Sequence, residues 1–110
     1  MRVYDTANKL AQEIRESKEF IDYKKIKDEI NNDLERKKKV EEFEKLRYDV
    51  QLMEYTGQDK DEEKNNKLQE MYETLITNKD IKEYFDLEVK FNIMIADVNK
   101  IIAESIKDVL

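Results

Sequence analysis

The sequence predicts an all-α protein: a long helical hairpin with short N-terminal helices, about five helices in all, assembling as a helical-bundle oligomer. Three observations carry that expectation. The chain has 110 residues with one glycine and no proline, which leaves few places for the tight turns that sheets need. Charged residues make up 44% against 39% apolar, a balance that suits long helices with wide solvated faces. The apolar residues recur every three or four positions, the period of a helix. High charge also fits an unfolded chain, but the regular stripe argues for packing. By length, residues 1–110 form a single domain.

The first helix is expected over residues 4–16, with Val3, Ala7, Leu10 and Ile14 in one stripe. Ser17 suits the N-cap of the second, which spaces Phe20, Tyr23, Ile26 and Ile30 along one face. Asn32 followed by Glu35 reads as a capping box for a long third helix over 33–56. Its face carries Val40, Phe43, Leu46, Val50 and Met53, and Gly57 ends it, since glycine adopts left-handed geometry without a steric cost. After the polar stretch QDKDEEKNN, Asp59 with Glu62 is the expected cap of a fourth helix, with Leu68, Met71, Tyr72 and Leu75 as its stripe. Asn78 suits a helix end, and Asp80 with Glu83 reads as the capping box of a fifth helix over about 81–107.

The fifth helix has two apolar sides. At 100° per residue, Tyr84, Leu87, Phe91, Met94, Ile95, Val98, Ile101 and Ile102 fall in an arc about 120° wide. Phe85, Val89, Ile93 and Ala96 fall in a second arc on the opposite side. One arc is what a surface helix needs to pack on its own domain. Two arcs mean a helix covered from both sides, either by other helices of the chain or by a second molecule. The reading adopted is that the first arc is core and that Phe85, Val89, Ile93 and Ala96 form an oligomer interface. A hairpin is thin, and small domains gain much from association.

The composition excludes most site chemistry. With no cysteine and no histidine, the chain lacks thiolate nucleophiles, an imidazole base for Ser17 or Ser105, and the donors of zinc and Glu-x-x-His di-iron sites. One glycine cannot build a phosphate-binding loop. Asp59, Asp61, Glu63, Asn65 and Glu70 occupy calcium-ligand positions of an EF-hand loop, but Lys64 stands where the sharp turn needs glycine. No catalytic residue, cofactor or metal is therefore expected. No apolar run approaches the ~20 residues that span a bilayer, and charges interrupt the start, MRVYDTANKLAQEI, too often for a signal peptide. The expected place is the cytoplasm, with no membrane insertion.

Net charge is −6, and the acidic excess lies after Tyr55, which argues against a broad phosphate-binding surface there. The basic run ERKKKVEEFEKLR places Arg36, Lys37, Lys38, Lys39, Lys45 and Arg47 together, interleaved with Glu35, Glu41, Glu42 and Glu44. Such interleaving makes an ion-paired solvated face. An RNA-binding protein using Arg36–Arg47 is the alternative reading.

Three segments together resemble the YlbF/YmcA/YheA family of small bacterial regulators: YDTANKLAQEIRESKEFIDYKKIKDEI, FEKLRYDVQLMEYTGQ and LQEMYETLITNKDIKEYFDLEVKFNIMIADVNKII. The resemblance implies an all-helical protein that forms homo-oligomers (dimers or higher) or hetero-oligomers with paralogues. It implies a role in competence, sporulation and biofilm development, through complexes that support RNA processing with a membrane-anchored endoribonuclease. Some of those complexes carry iron–sulfur clusters, and here this sequence departs, because it has no thiolate to offer. The expected function is that of a non-enzymatic regulator or adaptor acting through protein–protein interaction.

Overall fold

The computed structural model describes residues 1–57 and 61–110. Five helices follow one another: α1 (Arg2–Glu16), α2 (Lys18–Asn31), α3 (Leu34–Thr56), α4 (Glu62–Leu75) and α5 (Lys79–Ile106). Among the described residues there is no strand, so the all-α expectation holds. Two units divide the chain, one made of residues 1–27 with 84–110 and the other of residues 28–83.

In the unit of residues 28–83, α3 and α4 pack side by side. Lys39 shares a hollow with Thr74, and Asp49 shares one with Lys67. Rising numbers on one helix thus meet falling numbers on the other, which makes the pair an antiparallel hairpin. Val40, Phe43 and Val50 are buried on one face of α3, at the spacing that one helix face requires. Phe43 meets Tyr72 of α4 with ring centroids 6.1 Å apart. Gly57 closes α3 at φ 73°, ψ 15°, and its N–H bonds back to the carbonyl of Glu54 at 3.4 Å. That left-handed geometry costs a residue with a Cβ about 1–2 kcal/mol, so the sequence stops the helix at its one glycine.

The helix starts differ in detail from the sequence expectation. Asp33, not Asn32, caps α3: its Oδ1 accepts from the backbone N–H groups of Glu35 and Arg36 at 3.1 and 3.2 Å. Asn32 is already committed to the end of α2, where its N–H bonds Asp28 at 3.1 Å. Asp61 caps α4 through the N–H of Lys64 at 3.2 Å, whereas Asp59 lies outside the described residues. For α5 the cap is Asn78, whose Oδ1 accepts from Asp80 and Ile81 at 3.0 and 3.2 Å. Asp80 therefore sits inside the first turn, and its carboxylate takes Arg36 Nη1 at 2.6 Å while Arg36 Nε holds Asp33 at 3.0 Å.

In the other unit, Ser17 joins α1 to α2 as expected. Its hydroxyl donates to the Ile14 carbonyl at 2.6 Å and accepts from the Phe20 N–H at 3.2 Å, so one side chain serves both helix ends. Aromatic rings then fix α2 against α5. Tyr23 lies 5.5 Å from both Tyr84 and Phe91, and Phe20 lies 6.1 Å from Phe91. The stripe of α1 does not become core. Leu10 and Ile14 are half-buried, Ala7 and Val3 are exposed, and no residue of α1 is fully covered.

Candidate functional site

The aromatic packing decides which way α5 points. With Tyr84 and Phe91 turned toward α2, residues about 200° round the helix from Phe91 face away. Ile93 is one of these, and Val89 lies one turn before it. Both are 56% exposed, and Ala96 is exposed as well. Phe85, also assigned to this arc, is only 5% exposed, and its ring meets that of Tyr84 edge-on at 5.6 Å. It is covered by its own chain. The accessible part of the arc is thus Val89, Ile93 and Ala96.

A shallow groove of about 440 Å³ runs beside this stripe, lined by Ile93, Met94, Val98 and Ile101, with Glu19 of α2, Lys90 and Asp97 as its charged members. The first arc is not core along its whole length. Tyr84 is buried and Leu87, Phe91, Met94, Ile95 and Val98 are half-buried, but Ile101 and Ile102 are 70% and 48% exposed. Phe91 is the last aromatic residue of α5, and the helix continues beyond its ring contacts to Ile106. Lys90 and Asp97 escape a search that follows apolar spacing alone; the available signal was their opposite charge one heptad apart.

The remaining candidates show local engagement rather than an open site. Four of the six cations of the basic run are occupied: Arg36 by Asp33 and Asp80, Lys37 by Glu41, Lys39 by Glu35, and Arg47 by the ring of Phe43. A hollow of about 400 Å³ between α3 and α4 mixes Lys39, Glu42, Lys67 and Glu70 with Met71 and Leu75. Of the calcium-type positions, Glu63, Asn65 and Glu70 stand on α4 rather than in a loop. Among the described residues, no group of three or more acidic, histidine or cysteine side chains is placed to hold a metal ion. No helix among them is long and apolar enough to cross a membrane.

Fold and surface together define a small all-helical protein with an apolar face open on its last helix. The chain belongs to the family described as control of competence regulator ComK, YlbF/YmcA, which matches residues 3–107. A UPF0342 protein of Halothermothrix orenii is 34% identical over 102 residues, covering 93% of this chain and 86% of that one. A UPF0342 protein of Desulfitobacterium hafniense is 34% identical over 110 residues, covering 100% and 89%. Among solved structures, a protein of unknown function (DUF964) from Bacillus stearothermophilus superposes with a TM-score of 0.83 at 18% identity, covering 98% of this chain and 95% of that one. That likeness speaks for the fold alone.

Proposed function

We propose that this chain is a non-enzymatic regulatory adaptor of the cytoplasm that works by binding proteins, itself included, through the outer face of α5. The observation that carries the reading is the exposure of Val89 and Ile93, 56% each, on a helix whose opposite side is held by an aromatic cluster. A pair of half-exposed aliphatic side chains in the middle of a 28-residue helix is apolar surface that association removes from water. The family description supports a regulator of competence. The sequence resemblance, rather than that description, extends the proposal to regulation of sporulation and biofilm formation linked to RNA processing, with paralogues as hetero-oligomer partners. RNA binding by Arg36–Arg47 gains nothing from the geometry, since most of those cations are engaged within the chain.

Ile93→Glu tests the reading. A carboxylate buried without a partner costs several kcal/mol, against roughly 8 kcal/mol for a micromolar interface. Sedimentation equilibrium over a dilution series should show self-association weakened a hundredfold or more, with the helical circular dichroism unchanged. A wild-type chain that stays monomeric at every concentration removes self-association from the proposal.

A further inference from the structure

The charges around Ile93 are arranged symmetrically. Lys90 and Asp97 lie on the same side of the outer face, about 60° and 40° round from Ile93, and both line the groove beside it. Their midpoint in the sequence falls between Ile93 and Met94. Asp86 and Lys100, close to the centre line of the same face, have their midpoint at Ile93 itself. All four are exposed. Along the centre line, Asp86, Val89, Ile93, Ala96 and Lys100 follow one another at steps of three, four, three and four, the spacing of a coiled-coil seam. Between residues 86 and 100 the seam is apolar in the middle, acidic at Asp86 and basic at Lys100.

We propose that a second copy of this chain covers this face, with the two α5 helices antiparallel and crossing at Ile93. The inference rests on the reading of the outer face of α5 as the association surface, and adds its partner and register. A two-fold axis at Ile93 reverses the height of every residue while keeping it on its own side of the seam. Lys90 of each copy then meets Asp97 of the other, and Asp86 of each meets Lys100 of the other. Val89 packs beside Ala96, and Ile93 packs on Ile93. A parallel pair would instead bring Asp86 onto Asp86 and Lys100 onto Lys100 at the seam. Exposed ion pairs add little affinity, but like charges set face to face exclude a register. The charges choose the orientation, and the aliphatic stripe supplies the contact. The third charge of the groove, Glu19, belongs to α2 rather than α5 and takes no part in the symmetry of the seam.

Two single reversals decide the register. Lys90→Glu sets two acids against each other twice in its own dimer, and Asp97→Lys does the same with two bases. Each variant alone should associate at least tenfold more weakly than wild type in sedimentation equilibrium at low salt. An equimolar mixture should recover, because in the mixed dimer both meetings join opposite charges. Recovery also proves that both variants are folded. The native chain has no cysteine, so cross-linking gives a second measure. Oxidised Ile93→Cys should form a disulfide dimer. Lys100→Cys should not, since antiparallel copies hold those positions about 20 Å apart. Equal cross-linking at both positions, or a mixture no tighter than its components, overturns the register. If Ile93→Glu still abolishes association in that case, the face stands and only the pairing falls. If Ile93→Glu has no effect on an associating wild type, face and pairing fall together.

Discussion

Nine apolar side chains are buried among the described residues, and six of them (Ile30, Val40, Phe43, Val50, Leu75 and Ile81) belong to residues 28–83. Residues 1–27 with 84–110 bury Ile26, Tyr84 and Phe85, yet leave Val3, Tyr4, Val89, Ile93, Ile101 and Ile102 in the open. The two parts are nearly equal in length, so chain length does not separate them. In the first, a closed hairpin turns its stripes inward, and a glycine stop, three side-chain caps and a bridging arginine hold its ends. In the second, α1 is amphipathic without a single buried residue, and the last turns of α5 leave Ile101 and Ile102 exposed. Residues 28–83 also expose Leu34, Tyr48, Leu52 and Tyr55, so the difference between the parts lies in what is buried, six apolar side chains against three.

That contrast makes ordered expectations. Phe43→Ala should destabilise most, by about 3–5 kcal/mol, because the ring is 4% exposed. Phe91→Ala should cost less, about 2 kcal/mol, as its ring is less completely buried than that of Phe43 despite its contacts with Phe20 and Tyr23. Urea denaturation measures both, and equal losses would erase the contrast. Gly57→Val comes next, at about 1–2 kcal/mol. An added Cβ meets nothing within 4 Å, so the loss is ascribed to the left-handed backbone. Asn78→Ala should cost about 1 kcal/mol, seen as a lower urea midpoint, and an unchanged midpoint would mean the α5 start holds without its cap. At the small end, Val89→Ser should shift monomer stability by no more than about 0.5 kcal/mol. The same change should still weaken association in a dilution series. A large loss of stability in dilute solution would mean Val89 belongs to the core after all.

The helices themselves were legible because each feature that defines them is local. The stripes of α2 and α3, the stop at Gly57 and the cap at Ser17 all follow from residues within a turn of each other. Cap positions were less legible where two candidates stand close together. Asn32 and Asp33 can both cap α3, and the end of α2 takes the N–H of each; it is Asp33 that stands in extended geometry directly before Leu34, with its carboxylate on the first free N–H groups. Asn78 displaces Asp80 as well: the Asp80 carboxylate is drawn to Arg36, 44 positions away in sequence. The candidate surface shows the same limit. Angles about one helix place Phe85 beside Val89, but its coverage depends on neighbours that a helical wheel does not contain. The exposure of Ile101 was equally hidden, since what covers each turn of α5 is a tertiary quantity.

The Arg36 guanidinium, held by Asp33 and Asp80, has a consequence for how this sequence can drift. Asp33 has two duties: one oxygen caps α3 while the other binds Arg36. It cannot turn basic without setting a cation at the positive end of the helix dipole. Arg36 therefore cannot exchange signs with Asp80, because an acid at 36 would face the fixed acid at 33. Lysine is a poor substitute too, since a single ammonium lacks the paired N–H edge that reaches both carboxylates. The three positions form a one-way lock on descent. Across homologous chains Arg36 and Asp80 should persist together or be lost together, while Asp33 can persist alone for its cap.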